Sequence, residues 1–167
     1  ADASAAIVAQ ATGLSRAEAH DALRRHLGVC YDICHGAVEF EDPADAFARF
    51  AAAGIRIGKL QLSSALRLPQ VGGETEQTLS AFDDGVYLHQ VDHFLKTEHH
   101  AAGGEWRVHC HVPVFLEVAG KFHSTQPTLK AALACAKAGF VAPHLEVETY
   151  TWDVLPQEYR REDIAVA

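Results

Sequence analysis

The sequence predicts an α/β fold with parallel strands, and three segments predict it. Ser15 and Glu18 form a capping-box signature before a helix over Arg16 to His26, Gly28 stops it, and an apolar run starts at Val29. Asp42 and Pro43 then open the helix ADAFARFAAA, Gly54 closes it, and IRIGKLQLSS follows as a strand. Later, Ser124 or Thr125 caps the helix TLKAALACAKAG, which ends at Gly139 before the strand HLEVETYTW. Strand, helix and strand joined by short links imply right-handed crossovers and parallel pairing.

The elements follow in order. The Ala-rich first ten residues, with Ile7 and Val8, suit the tail of a helix. In the next helix Ala19, Leu23 and Leu27 share a face, and Arg24 and Arg25 sit near its negative end. The first strand covers roughly Val29 to Ile33 within VCYDICHGAVEF, and the second Ile55 to Leu62. Residues 67 to 108 break the rhythm with Gly72-Gly73, Asp83-Asp84-Gly85 and Gly103-Gly104 turns. Val86 to Val91 and Trp106 to Val112 read as an inserted antiparallel pair of strands, or as an excursion beside the main sheet. No low-complexity linker divides the chain, so residues 1–167 are expected to form one domain.

Composition narrows the function. A hydrophobic fraction of 49% and a charged fraction of 22% are ordinary for a soluble protein. The net charge of -8 argues against a nucleic-acid or polybasic membrane partner. No apolar run is long enough to span a bilayer, and the N-terminus lacks the pattern of a signal peptide. Cys30, Cys34, Cys110 and Cys135 show no compact zinc spacing, so reduced thiols in a cytoplasmic protein are expected. The absence of methionine, even at position 1, suggests a processed chain or part of a longer one.

The residues able to do chemistry gather near strand ends. Asp32 and His35 lie three apart at the rim of the first strand, where the Asp could equally cap a loop. His109 and His111 share one face of their strand by its period of two, as metal ligands or as a polar surface. His144, Glu146 and Glu148 share one face of the last strand. Two acids there suit either a wet edge strand or a polar site. Lys59 and Gln61 line one side of the second strand, with Lys59 either serving an anion or reaching to the rim. Carboxylates with neutral imidazoles suit Mn²⁺, Mg²⁺, Fe²⁺ or Zn²⁺. No phosphate-binding glycine loop or serine-nucleophile elbow is present.

Four blocks, CYDICHGAVEFEDP, GIRIGKLQLSSAL, EWRVHCHVPVFLE and HLEVETYTWDVLP, resemble the xylose isomerase-like (sugar-phosphate isomerase/epimerase) superfamily of TIM barrels. The nearest likeness is to the barrel family of the bacterial metabolite-traffic (ebo) gene cluster. The resemblance spans about residue 28 to 156 and implies the C-terminal half of a (β/α)8 barrel, since a whole one needs ~250 residues. It also implies metal ligands at Asp32 and Glu148, with Glu146 next, and a substrate contact at His35. Gln61 stands where that superfamily carries a metal-binding His, a gap that His109 or His111 would fill. Glu148 would move a proton beside a carbonyl polarised by a divalent ion, with Lys59 as a positive group. The implied function is a metal-dependent isomerase or epimerase acting on a sugar-like metabolite in secondary-metabolite processing or traffic. A non-catalytic metabolite-binding barrel and an endonuclease-like phosphoester hydrolase are the alternatives. A half-barrel would expose two sheet edges, so self-association or association with the missing N-terminal half is expected.

Overall fold

The structure is a computed structural model that describes residues 2–72, 104–119, 122–139 and 141–148. Two helices come first, α1 (Asp2–Thr12) and α2 (Arg16–His26). The capping box is present: the Ser15 N–H donates to Glu18 Oε2 at 2.8 Å, and the Glu18 N–H donates to Ser15 Oγ at 3.3 Å. Then follow β1 (Val29–Asp32), α3 (Ile33–Val38), α4 (Pro43–Ala52) and β2 (Ile57–Leu62). The remaining elements are β3 (Ala65–Leu68), β4 (Trp106–His111), β5 (Val118–Ala119), β6 (Phe122–Ser124), α5 (Gln126–Gly139) and β7 (His144–Val147).

The strands form two sheets. One is parallel with the order β1-β2-β7, and the other is antiparallel with the order β4-β3-β6-β5. Pairing aligns Asp32 with Gln61 and Gln61 with Glu146, a polar row across one face of the parallel sheet. Alternate residues face the other way, where Tyr31 and Leu60 pack with Ala46 and Phe47 of α4 and with Leu129 and Ala132 of α5. Each large apolar side chain removed from water there contributes roughly 1.5–3 kcal/mol.

Beyond β2 the chain passes through buried Ser63 and Ser64 and changes sheet. Leu66, Leu68, Trp106, Val108, Cys110, Val112 and Phe122 make a second core on one face of the antiparallel sheet. By alternation, Arg107, His109 and His111 turn to the opposite face, toward α3. That short helix buries Ile33, Cys34, Gly36 and Ala37 and lies between the two sheets.

The barrel expectation is overturned. Among the described residues there are two open sheets, one of them antiparallel, where a TIM barrel needs a single closed parallel one. Helices cover one face of the parallel sheet, and the rest of the chain turns aside at Ser63 to build β3 instead of continuing a β–α rhythm. The xylose isomerase-like label, the metabolite-traffic resemblance and the isomerase and epimerase terms rested on that barrel and fall with it. The inserted pair of strands is corrected as well. Trp106–His111 pairs with β3, which the sequence reading missed, while 86–91 lies outside the described residues.

The first strand also ends earlier than its apolar pattern implied. The Asp32 carboxylate accepts the N–H groups of Cys34 and His35 at 2.8 and 3.4 Å, which turns Ile33 onward into helix. Residue 36 must be glycine for this helix to lie down, because a Cβ there would sit 2.2 Å from Tyr31 Oη. Gly36→Ala should therefore cost about 1–3 kcal/mol, the usual range for overpacking. Urea denaturation measures it, and an unchanged midpoint would show that the Tyr31 ring yields freely.

Candidate metal centre

Three side chains converge where α3 meets β4. Ligand atoms of Cys34, His109 and His111 all lie within 4.8 Å of one another. Two of them come from one strand at a spacing of two, so both imidazoles leave the same face of β4. The third comes from the first turn of α3, with Cys34 fully buried. His109 Nε2 and His111 Nε2 are 3.0 Å apart. That is a hydrogen-bond distance between the rings, and a tetrahedral ion bound at ~2.0–2.1 Å would need the two nitrogens only slightly farther apart, about 3.3 Å.

The second nitrogen of His111 is also engaged. His111 Nδ1 lies 2.9 Å from Glu148 Oε2, just past the end of β7, and both side chains are well shielded from solvent. The approach is at ion-pair distance without hydrogen-bond alignment, and a carboxylate on that side favours by its charge the tautomer with the proton on Nδ1, leaving the Nε2 lone pair for a ligand. Gln61 hydrogen-bonds to Glu148 from the neighbouring strand. On the solvent side, His35 stacks edge-on against His109 with ring centroids 4.2 Å apart, and its Nε2 is 3.8 Å from Asp32 Oδ2. Asp32, His35 and Gln61 border an open depression completed by Cys30, Tyr31, Gly36, Glu39 and Glu41.

The candidate residues named from the sequence thus divide. His109 and His111 belong to the converging group; Asp32, His35, Gln61 and Glu148 surround it. Glu146 and Lys59 lie apart, with Lys59 Nζ 3.1 Å from Glu146 Oε2 on the open face of the parallel sheet. Cys34 was missed. It lies two residues past Asp32, in the first turn of a helix that the sequence reading did not expect after the strand. All four cysteines are thiols, with Cys34 and Cys110 buried.

Burial sets the charge of the site. It lowers the pKa of both His109 and His111, with His35 also opposing the protonation of His109, so both rings favour the neutral, ligating form. Burial raises the Glu148 carboxyl above its ordinary range, an effect that the Gln61 hydrogen bond partly offsets. The Cys34 thiol is pushed up by burial and by the charges of Asp32 and Glu148, so the uncomplexed thiol keeps its proton.

No family model, no curated protein and no solved structure matches this chain. No helix among the described residues is long and apolar enough to cross a membrane. The Cys34, His109 and His111 group is able to chelate a metal ion, and it is the group of that kind found among the described residues.

The shifts give stability a definite pH dependence. Below the ordinary histidine value of 6.5, unfolded imidazoles take up protons while native His109 and His111 resist, so stability falls as the pH drops through that value toward their lowered ones. Glu148 acts oppositely: its contribution is full below 4.5 and is lost as the pH rises through its raised value. Denaturation of metal-free protein between about pH 7.5 and 5.5 should show stability falling with acidification, and His109→Gln with His111→Gln should flatten that slope. An equal slope in the double variant would contradict the assignment.

Proposed function

We propose that this protein is a metal-dependent hydrolase whose ion is held by Cys34 Sγ, His109 Nε2 and His111 Nε2. The observation that carries the proposal is the convergence of those three atoms, with Glu148 behind His111 in the position of an orienting carboxylate. One thiolate and two imidazoles suit Zn²⁺ or Co²⁺ and disfavour Mg²⁺ and Mn²⁺, which seek hard oxygen donors.

Three protein ligands leave a fourth position, the arrangement of catalytic rather than structural zinc sites. Asp32 Oδ1 accepts from Cys34 N, His35 N and Ser63 Oγ, which commits that oxygen to the start of α3. A bound ion of this class makes a coordinated water acidic enough to be a nucleophile near neutral pH. His35, exposed at the mouth of the depression and beside both Asp32 and His109, is suited to exchange a proton with solvent or with a leaving group.

We infer that substrate approaches over the adjoining depression, whose acids Asp32, Glu39 and Glu41 favour a neutral or cationic ester or amide over a phosphoester. Arg49 pairs with Glu41 and leaves that acid only partly compensated.

Dialysis of chelator-stripped protein against Zn²⁺ should return about one ion per chain. Affinity should fall more than about 100-fold in His109→Ala or His111→Ala, beyond the range for losing an outer partner. Hydrolysis of neutral ester and amide panels should require the ion. Retention of no metal by the intact protein would refute the proposal.

A further inference from the structure

The thiol of Cys34 reaches the two imidazoles only because the first turn of α3 is fixed in place, and the fixing comes from a different strand. The Cys34 N–H is shared between Asp32 Oδ1 at 2.8 Å and Ser63 Oγ at 3.0 Å. Ser63 in turn donates its hydroxyl hydrogen to the same Asp32 oxygen. Asp32 ends β1 and Ser63 follows β2, so these bonds close a small ring across the ends of two parallel strands, with the Cys34 backbone as its third member. Ser63 is 2% exposed and Cys34 0% exposed, so water does not replace either partner. A serine spent on a buried backbone N–H that Asp32 already caps is unnecessary for the helix alone.

We infer that Ser63 and Asp32 are positioning residues for the metal-binding thiolate, holding the Cys34 backbone so that Sγ faces His109 and His111. The inference rests on the metal reading above. Ligation would form the sulfur–metal bond and release the thiol proton to solvent, and a fixed Cys34 backbone limits the movement that sulfur needs to reach the ion. Asp32 is thereby assigned an indirect role, setting the position of a ligand instead of being one. Its free oxygen, Oδ2, is turned to His35 at 3.8 Å.

Cobalt absorption separates this role from general stability, because a thiolate–Co²⁺ charge-transfer band in the near ultraviolet reports sulfur ligation and the visible d–d bands report the ion as a whole. The probe is Co²⁺ alone, added to the intact chain. Wild-type protein is expected to show both bands, and Cys34→Ser to lose the charge-transfer band selectively. Ser63→Ala should weaken that band relative to the d–d bands and lower Co²⁺ affinity about 10-fold or more, with Ser63→Thr restoring both. Asp32→Ala, which removes the acceptor shared by the Cys34 N–H and the Ser63 hydroxyl, should do the same and serves if Ser63→Ala fails to fold. Undiminished band ratio and affinity in the folded variants would overturn the positioning role while leaving the metal site intact. Wild-type d–d bands without charge transfer would overturn ligation by Cys34, and no Co²⁺ binding by the wild type would overturn the metal reading itself.

Discussion

The structure depends on one six-residue helix being clamped between two sheets. At its start, Asp32 and Ser63 hold the Cys34 N–H; near its end, Arg107 of β4 donates to the Ala37 carbonyl at 2.7 Å. Its middle passes close under Tyr31, a contact only glycine at 36 permits. Arg107 also lies 4.1 Å over the ring of Phe40, whose φ of 57° lies in the left-handed region and lets the chain turn away after α3. With both ends fixed to different sheets, α3 cannot shift without breaking hydrogen bonds in buried surroundings, where each lost partner costs about 1–3 kcal/mol.

Clamping α3 is what brings sulfur to nitrogen. The imidazoles arrive from β4 by simple strand alternation, and the carboxylate that orients one of them arrives from beyond β7. The site therefore draws on both sheets, and the chemistry of its donors follows from burial. Desolvation keeps the histidines neutral, which a metal requires, and keeps the thiol protonated until a cation displaces the proton. The depression beside the group carries Asp32, Glu39 and Glu41, whose charge would favour the approach of a cation.

Local grammar was legible in the sequence wherever a cap or stop residue decided the outcome. The Ser15–Glu18 box, the Asp42-Pro43 start and the Gly139 stop all mark helices that form where expected. The β1–β2–β7 parallel pairing follows from the same grammar. What failed was long-range order. ALRL is only four residues between Ser64 and Pro69, too short for a periodic signal, yet it is the strand on which β4 and β6 pair. With β3 missed, residues 67 to 108 read as an excursion beside one parallel sheet, and the barrel came from the family resemblance. The site was legible as residue types: His109 and His111 share a face as their spacing implied, and Asp32, His35 and Glu148 do lie nearby. The thiol was hidden, because its approach depends on a strand turning to helix at Asp32, and that turn is a side-chain hydrogen bond rather than a pattern of hydrophobicity. Glu146 illustrates the reverse: it shares a strand face with Glu148 yet meets Lys59, because the parallel register sets it beside β2 instead of β4.

The central claim is that a thiolate and two imidazoles share one ion. X-ray absorption at the zinc edge of Zn²⁺-loaded protein measures this directly. The account predicts one sulfur at ~2.3 Å and two imidazole nitrogens at ~2.0–2.1 Å, with a single light atom completing the shell. A shell of oxygen donors without sulfur or imidazole scattering would contradict it.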